Sequence, residues 1–131
     1  MFLDTSGLLC FHHRSEAQHA VAVQFFQSAS VRLTHSYVLA EFVALAQARG
    51  LPRQAALSFV ADLQDNTAVQ VTYVDEALHR AALAHLQQRP DKAWSLCDAV
   101  SFLLMARHGI QDALTTDHHF EQAGFVRLLK P

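Results

Sequence analysis

Two aspartates, Asp4 and Asp117, follow segments that predict short β-strands. Met1–Leu3 is apolar and ends at Asp4, and the predicted strand Ile110–Thr115 comes shortly before Asp117. In open parallel sheets, ligand and catalytic sites form beyond the carboxyl ends of the strands. We therefore expect both carboxylates at one edge of a sheet.

Two further carboxylates lie on predicted helices with apolar faces. On the helix predicted for Tyr37–Arg49, the angular neighbours of Glu41 are apolar, so its side chain should point into the core or into a cleft. Asp98 lies near the start of the apolar helix predicted for Leu96–His108, which must be buried. An unpaired buried carboxylate costs several kcal/mol, so it needs a metal, a proton or a cation such as an arginine.

Carboxylate oxygens gathered in this way favour a hard divalent cation. Oxygen ligands select ions such as Mg²⁺ or Mn²⁺, which keep several of their waters. Such an ion can activate a water for attack and stabilise the charge that develops on a phosphoryl group. The four acids therefore predict hydrolysis of a phosphodiester bond without a nucleophile from the protein.

Each acid also has an ordinary structural explanation, which for Glu41 is an ion pair with an arginine or a helix that lies at the surface edge. Asp4 or Ser6 can cap the helix predicted after the first strand, and Asp117 can cap a brief helix. Ser95 and Asp98 resemble a capping box, although Glu or Gln is more usual at its last position. The functional interpretation therefore depends on whether the fold brings the four acids together.

Apolar periodicity and turn residues predict helices and strands that alternate along the chain. This alternation predicts one domain, residues 1–131, with an α/β fold: a three-layer α/β/α sandwich around a mostly parallel sheet. Ser6 and Ser36 are the predicted caps of the first and third helices. The predicted strands are Met1–Leu3, Val31–Thr34, Ala68–Val74, Ile110–Thr115 and Phe125–Leu129. The predicted helices are Gly7–Phe11, Glu16–Ser28, Tyr37–Arg49, Pro52–Gln64, Asp75–Arg89, Leu96–His108 and a brief one after Asp117.

The composition is typical of a soluble globular protein. Hydrophobic residues make up 51% and charged residues 17% of the chain, and no uncharged apolar run approaches the ~20 residues that a membrane helix requires. Asp4 stands where a secretory signal would have basic and then apolar residues. We therefore expect a cytoplasmic protein with no membrane partner, in which Cys10 and Cys97 are reduced and buried.

The charge balance permits a nucleic-acid partner. The formal net charge is −2, from 12 acids and 10 basic residues. If four acids surround a metal, eight acids and ten basic residues remain, so the rest of the surface carries a net positive charge. Eight of the ten basic residues are arginine, whose forked guanidinium suits phosphate contacts.

Four sequence segments surround the four acids. In chain order they are F-L-D-T-S, S-Y-V-L-A-E-F, S-L-C-D-A-V-S-F and L-T-T-D-H-H-F-E-Q-A-G-F. Together they resemble the PIN-domain family, and in particular the VapC-type toxin nucleases of bacterial toxin–antitoxin pairs. The pattern T-x-D-x-x-F followed by G-F is the most specific, whereas D-T-S alone is weak. The resemblance covers the whole chain.

The resemblance implies a PIN-like fold and a metal-dependent ribonuclease similar to the toxin component of a type II toxin–antitoxin pair. It also implies Mg²⁺ or Mn²⁺ as cofactor, RNA as substrate, a small cognate antitoxin as inhibitory partner, and a homodimer. The residues that it marks as catalytic and metal-binding are Asp4, Glu41, Asp98 and Asp117, with Thr5, Ser6 or Thr115 as supporting hydroxyls.

Other functions compete with the nuclease. Asp117-His118-His119 spells the signature of the D-H-H phosphoesterases, but those proteins are much larger and carry further acidic motifs. A phosphatase with an aspartate nucleophile needs a second Asp where this chain has Ser6. The serious alternative is a PIN fold that binds RNA or a protein without cutting, because differences of about half an ångström decide catalysis. The nine histidines are predicted to lie mainly at the surface.

Overall fold

A five-stranded sheet forms the centre of the computed structural model, which describes residues 1–131. The strands are β1 (Phe2–Leu3), β2 (Leu33–His35), β3 (Gln70–Thr72), β4 (Asp112–Leu114) and β5 (Val126–Arg127). The helices are α1 (Thr5–His12), α2 (His19–Ser28), α3 (Ser36–Ala48), α4 (Arg53–Asp65), α5 (Glu76–Gln87), α6 (Leu96–His108) and α7 (His119–Gln122).

The strand order is β3-β2-β1-β4-β5, and every neighbouring pair is parallel. The chain moves outward from β1 through β2 to β3, and then returns across the sheet to β4 and β5. Because crossovers between parallel strands are right-handed, α1 to α4 cover one face and α5 to α7 the other. The predicted three-layer α/β/α sandwich is therefore confirmed, with a sheet that is parallel throughout.

The central strands β1, β2 and β4 are buried, apart from Asp112, because both of their faces are covered. Phe2, Leu33 and Leu114 are fully buried at the centre of one continuous hydrophobic core. Helix α6 has eight buried residues among its thirteen, as its apolar sequence predicted. No helix combines the length and the apolar character needed to cross a membrane.

Two of the predicted serine caps are wrong, because tertiary contacts occupy both hydroxyls. Ser6 lies inside α1, which begins one residue earlier. Ser36 is the first residue of α3, and its hydroxyl accepts a hydrogen bond from the backbone N–H of Val74 at 2.9 Å. The cap of α3 is His35, whose Nδ1 accepts from the backbone N–H of Val38 at 3.3 Å.

Several predicted elements are longer than the observed ones. The strand predicted for Ala68–Val74 is reduced to β3, because this edge strand pairs on one side only, with the three residues of β2. The last strand shortens in the same way against β4. Helix α2 begins at His19 instead of Glu16, since a turn precedes it.

Helix α1 and strand β4 approach each other most closely at Gly7. A Cβ atom at this position would lie 1.8 Å from the backbone oxygen of Leu114. The residue must therefore be glycine for α1 to lie against the central strands. This contact fixes the start of α1, and with it Asp4, next to the end of β4.

Replacement of Gly7 by alanine should destabilise the protein by several kcal/mol. In an ordinary helix the same change stabilises by about 0.5–1 kcal/mol, so the expected sign is reversed. The reason is that the new methyl group would overlap a carbonyl in the middle of the sheet. Urea unfolding measures the difference.

A matched glycine change separates this overlap from a general effect of the substitution. Gly109 has a φ of +64° and open space around it, so Gly109→Ala should cost only about 1 kcal/mol of left-handed strain. Wild-type stability in Gly7→Ala would contradict the close approach.

Candidate active site

The site lies where the strand order reverses, between β1 and β4. The backbone N–H of Asp4 donates to Leu114 O at 3.2 Å, so the residues that follow these two strands lie side by side. Such a reversal leaves a crevice at the carboxyl edge of a parallel sheet, because the connections from the two strands leave toward opposite faces. Asp4 and Asp117 both lie at this edge.

An open cleft of about 280 Å³ at this edge contains all four predicted acids. Helix α3 contributes Glu41 and the start of α6 contributes Asp98. A separate pocket between α3 and α4 is apolar and has no carboxylate, so we assign the chemistry to the polar cleft. The residues that line the polar cleft are Asp4, Thr5, Ser6, Glu41, Leu45, Ala93, Ser95, Asp98, Asp117 and His119.

Asp4 is the most buried of the four acids that line the cleft. It stands at the N-cap position of α1, but its side chain makes no capping hydrogen bond. Its Oδ2 instead accepts from the hydroxyl of Thr115 at 2.7 Å and from that of Ser6 at 3.4 Å. Burial raises the pKa of Asp4 from 3.8 to about 7, despite the bond from Thr115. The neighbouring charges of Asp98 and Glu41 also raise this pKa.

Two of the three predicted supporting hydroxyls hold the site together. Thr115 Oγ1 accepts from the backbone N–H of Asp117 at 3.0 Å, and Ser6 Oγ accepts from that of Thr116 at 3.0 Å. The two hydroxyls also lie 3.1 Å apart. The third, Thr5 Oγ1, is buried without a hydrogen-bond partner. It is therefore the hydroxyl with capacity left for a water or a phosphate oxygen.

Asp98 is both a helix cap and a wall of the cleft. Its backbone N–H donates to Ser95 Oγ at 3.0 Å, and its Oδ2 accepts from the backbone N–H of Ser95 at 3.0 Å. The capping box predicted from the sequence is therefore present. Burial raises the pKa of Asp98 above its usual value, with the charge of Asp117 acting in the same direction. The cap uses one lone pair of Oδ2 and leaves the other lone pair of Oδ2 and the whole of Oδ1 available to a ligand.

Glu41 faces the solvent side of the cleft. The residue has no arginine partner, so the ion pair considered as one ordinary explanation is absent, but it is exposed, which agrees with the other, a helix at the surface edge. The thiol of Cys97 lies close by, and burial together with the adjacent carboxylates raises its pKa far above the usual range. Cys97 therefore remains a neutral thiol, and both cysteines are free and buried, as predicted.

His119 belongs to the cleft, and sequence reasoning missed it. Its Nδ1 lies 3.3 Å from Asp117 Oδ1 and 3.4 Å from Asp98 Oδ2. The side chain is 23% exposed, and Nδ1 itself is buried without a hydrogen-bond partner. The available signal was the position of His119 between Asp117 and a buried aromatic residue, Phe120.

His35 also contradicts the prediction that the histidines lie at the surface, since it is fully buried. Because its Nδ1 accepts from the backbone of Val38, Nε2 carries the proton and donates to Ser101 Oγ at 2.8 Å. The Ser101 hydroxyl donates in turn to Cys97 O at 2.9 Å. Burial lowers the pKa of His35 to about 3, so the ring is neutral. This chain of hydrogen bonds joins the starts of α3 and α6.

Phe120 anchors the loop that carries Asp117. Its fully buried ring lies 6.1 Å from that of Phe2 on β1 and 5.0 Å from that of Phe102 on α6. Arg127 fixes the other side of the loop by donating to Thr116 O at 3.0 Å. The loop is therefore held against both the sheet and α6.

No lysine or arginine nitrogen lies within 4.0 Å of any of the four carboxylates. The ion pairs made by those cations involve Glu16, Glu76, Asp91 and Glu121, all outside the cleft. Carboxylate oxygens without a lysine or arginine partner suit a hard divalent cation. The arrangement therefore fits a metal, with the four carboxylates and the buried Nδ1 of His119 as its possible ligands.

Comparison with known proteins gives the family. The sequence matches the PIN domain over residues 1–126. Two relatives, both described as the 23S rRNA-specific endonuclease VapC20, come from the CDC 1551 / Oshkosh and ATCC 25618 / H37Rv strains of Mycobacterium tuberculosis. Each is 32% identical over 129 residues, which span 98% of this chain and 97% of the relative.

A solved structure agrees in fold with this chain. It is the crystal structure of Mycobacterium tuberculosis VapC20, described as a sarcin-ricin loop cleaving toxin. The two structures align with a TM-score of 0.87 at 32% identity, over 99% of this chain and 98% of that one. The sequence match, the similarity over nearly the full length and the shared fold lead to one conclusion: this chain belongs to the PIN domain family.

Proposed function

We propose that this protein is a VapC-like ribonuclease that hydrolyses RNA phosphodiester bonds with a divalent metal ion, Mg²⁺ or Mn²⁺. The observation that carries the proposal is the convergence of four carboxylates in one cleft without a lysine or arginine beside them. Similarity over nearly the whole chain to an endonuclease supports cleavage and does not favour the alternative of a non-cleaving binding module.

The proposed metal ligands are Asp4, Glu41, Asp98 and Asp117. Hydrogen bonds to one oxygen each hold the two buried acids, Asp4 and Asp98, so their orientation is set before an ion arrives. When bound, such an ion stabilises charge on the phosphate and lowers the pKa of a water. Ionised Asp4 is required for this role, and its raised pKa means that the cation must favour loss of its proton.

The chain's own hydroxyls complete the proposed site. Thr115 and Ser6 fix Asp4 and the loop of Asp117, while the unpaired hydroxyl of Thr5 is placed to bind a water or a phosphate oxygen. A water is the proposed nucleophile, because the nearby thiol of Cys97 stays protonated. The expected products carry a 5′-phosphate and a 3′-hydroxyl.

The same resemblance supports proposals about partners and location. An acidic cleft that lacks a cation suits a basic side chain from a small antitoxin, which would block it by taking the place of the metal. We further propose that the protein forms a homodimer and acts in the cytoplasm as one domain. The similarity to a toxin structure supports the antitoxin proposal.

Metal-dependent RNA cleavage should be lost when Asp4 is replaced by asparagine. The change should lower turnover by at least about 10²-fold, because it removes one charged group that stabilises the transition state. The assay uses total RNA and a sarcin–ricin loop hairpin, with Mg²⁺, Mn²⁺ or EDTA, and identifies the end groups of the products.

Asp112→Asn is the matched control, since Asp112 is exposed on β4 at the opposite edge of the sheet. It should cut as the wild type does. Cyclic phosphate ends would contradict the proposed water attack even if RNA were cut. Absence of cleavage by folded protein on every RNA would favour a binding module.

Metal-free stability should change with pH in a way that Asp4→Asn removes. The folded pKa of Asp4 is about 7 and its usual value is 3.8, so between these values the folded state keeps a proton that the unfolded state has lost. Stability therefore falls as pH rises from about 4 to about 7. Asparagine does not titrate, so the Asp4→Asn variant escapes this loss of stability. Near pH 8 it should melt at least about 5 °C higher than the wild type.

The measurement is thermal melting in metal-free buffer across this pH range. The difference in melting temperature between wild type and Asp4→Asn should vanish near pH 4 and reach its full size above the folded pKa of Asp4. Asp112→Asn should follow the wild type throughout. If Asp4→Asn also follows it at every pH, the four acids do not share a repulsive site.

Thr115→Val should lower kcat by about 10- to 100-fold with little change in KM. Valine keeps the volume but removes both the donor to Asp4 and the acceptor for Asp117 N–H. Thr115→Ser keeps the hydroxyl and should restore most of the activity. Steady-state cleavage kinetics test this, and a fully active valine variant would refute the positioning role.

A further inference from the structure

The proposed metal site has a nitrogen atom inside it. His119 Nδ1 lies between the carboxylates of Asp98 and Asp117, at 3.4 Å from Oδ2 of the first and 3.3 Å from Oδ1 of the second. The atom is shielded from solvent and has no hydrogen-bond partner. A buried polar atom without a hydrogen bond is costly, so either a bound ion or a proton paired with the two carboxylates should satisfy it.

The distance from Nδ1 to each of the two carboxylate oxygens is close to the spacing of adjacent ligands around one ion. Metal–ligand bonds of about 2.0–2.2 Å place adjacent ligand atoms about 3 Å apart. The two distances from Nδ1 are close to this value. Asp117 Oδ1 also accepts the backbone N–H of His119 at 2.9 Å, which leaves a second lone pair on that oxygen for an ion.

We propose that His119 is a nitrogen ligand of the metal bound by Asp98 and Asp117, and that it makes the site prefer a transition-metal ion such as Mn²⁺ over Mg²⁺. The proposal rests on the proposed metal site and adds its selectivity. Imidazole nitrogen binds first-row transition metals well, whereas Mg²⁺ prefers oxygen. A site of carboxylates alone would lack this discrimination.

The neighbouring histidine provides the comparison. His118 Nδ1 is 3.7 Å from Asp117 Oδ1, its side chain is 64% exposed, and it does not line the cleft. A ligand atom of His118 also lies within 4.8 Å of ligand atoms of Asp117 and His119, but its high exposure and its place outside the cleft leave it outside the proposed ligand set. His118→Gln therefore makes the same chemical change one residue away and should leave metal binding unaltered.

Pulsed electron paramagnetic resonance of Mn²⁺ on the full chain tests the ligand directly. A histidine nitrogen bound to Mn²⁺ gives a nitrogen coupling, which we expect in the wild type and in His118→Gln but not in His119→Gln. The wild-type spectrum needs no variant, so a folding defect cannot confuse it. Bound Mn²⁺ without a nitrogen coupling in the wild type would overturn the proposal.

Competition between the two ions tests the selectivity. Titration of free Mn²⁺, with and without Mg²⁺, should show that His119→Gln weakens Mn²⁺ binding by about 10- to 100-fold while Mg²⁺ binding stays within about threefold. Equal loss for both ions, or no loss for either, would contradict the proposal. In those cases a proton on Nδ1, paired with the two carboxylates, would satisfy the atom instead.

The outcomes separate this inference from the proposed function. RNA cleavage that depends on metal and on Asp4, together with no nitrogen coupling, refutes the ligand and keeps the nuclease. A nitrogen coupling in a protein that cuts no RNA keeps the ligand and refutes the nuclease. If Mn²⁺ fails to bind to folded wild-type protein, the ligand is refuted, and the nuclease is refuted as well if Mg²⁺ supports no cleavage.

Discussion

The pairing of β1 with β4 is the constraint on which the rest of the site depends. Phe2 lies opposite Ala113 and Leu3 opposite Leu114, so the residues just beyond the two strands must meet. The hydrogen bond of 2.7 Å from Thr115 to Asp4 is a direct result of that register. A shift of one of these strands by one residue would turn its side chains to the other face of the sheet and break this contact. The register of β1 and β4 therefore sets the positions of the side chains in the cleft.

The four carboxylates divide into two that are fixed and two that are accessible. Asp4 and Asp98 are buried and held by hydrogen bonds, whereas Glu41 is exposed and Asp117 is partly so. Burial opposes ionisation of the first pair, which is the physical reason that their pKa values rise. The fixed pair holds carboxylate oxygens in a set orientation. The accessible pair places negative charge at the opening of the cleft, where a substrate and its metal would enter.

The acids could be predicted from the sequence because each stands next to an apolar segment whose structure is easily recognised. Asp4 ends a strand, and Asp98 begins a helix that is apolar on nearly every side. The capping box at Ser95 was predicted from local spacing alone and is present, since its two hydrogen bonds lie within four residues. A local sequence pattern predicted the contact correctly where both partners lie within a few residues of each other.

The histidines and the serine caps could not be predicted in this way. His35 is buried because strands on both sides and α6 enclose it, and nothing within a few residues of it indicates Ser101 as its partner. Ser6 has the sequence context of a cap, but the neighbouring end of β4 takes its hydroxyl. His119 stands next to an exposed histidine of the same type, and only the packing of Phe120 decides which of the two enters the cleft. In each case a distant contact decides the role of the side chain.

The pairing of β1 with β4 also affects how the chain acquires its structure during synthesis. The two strands lie at positions 2–3 and 112–114, so β1 must wait for the much later β4 before the centre of the sheet can close. Contacts between segments so distant in sequence form late and slow folding. Helices α1 to α4 and strands β2 and β3 can assemble earlier, but the crevice between β1 and β4 does not yet exist. A nascent chain therefore has no complete cleft until β4 has been made.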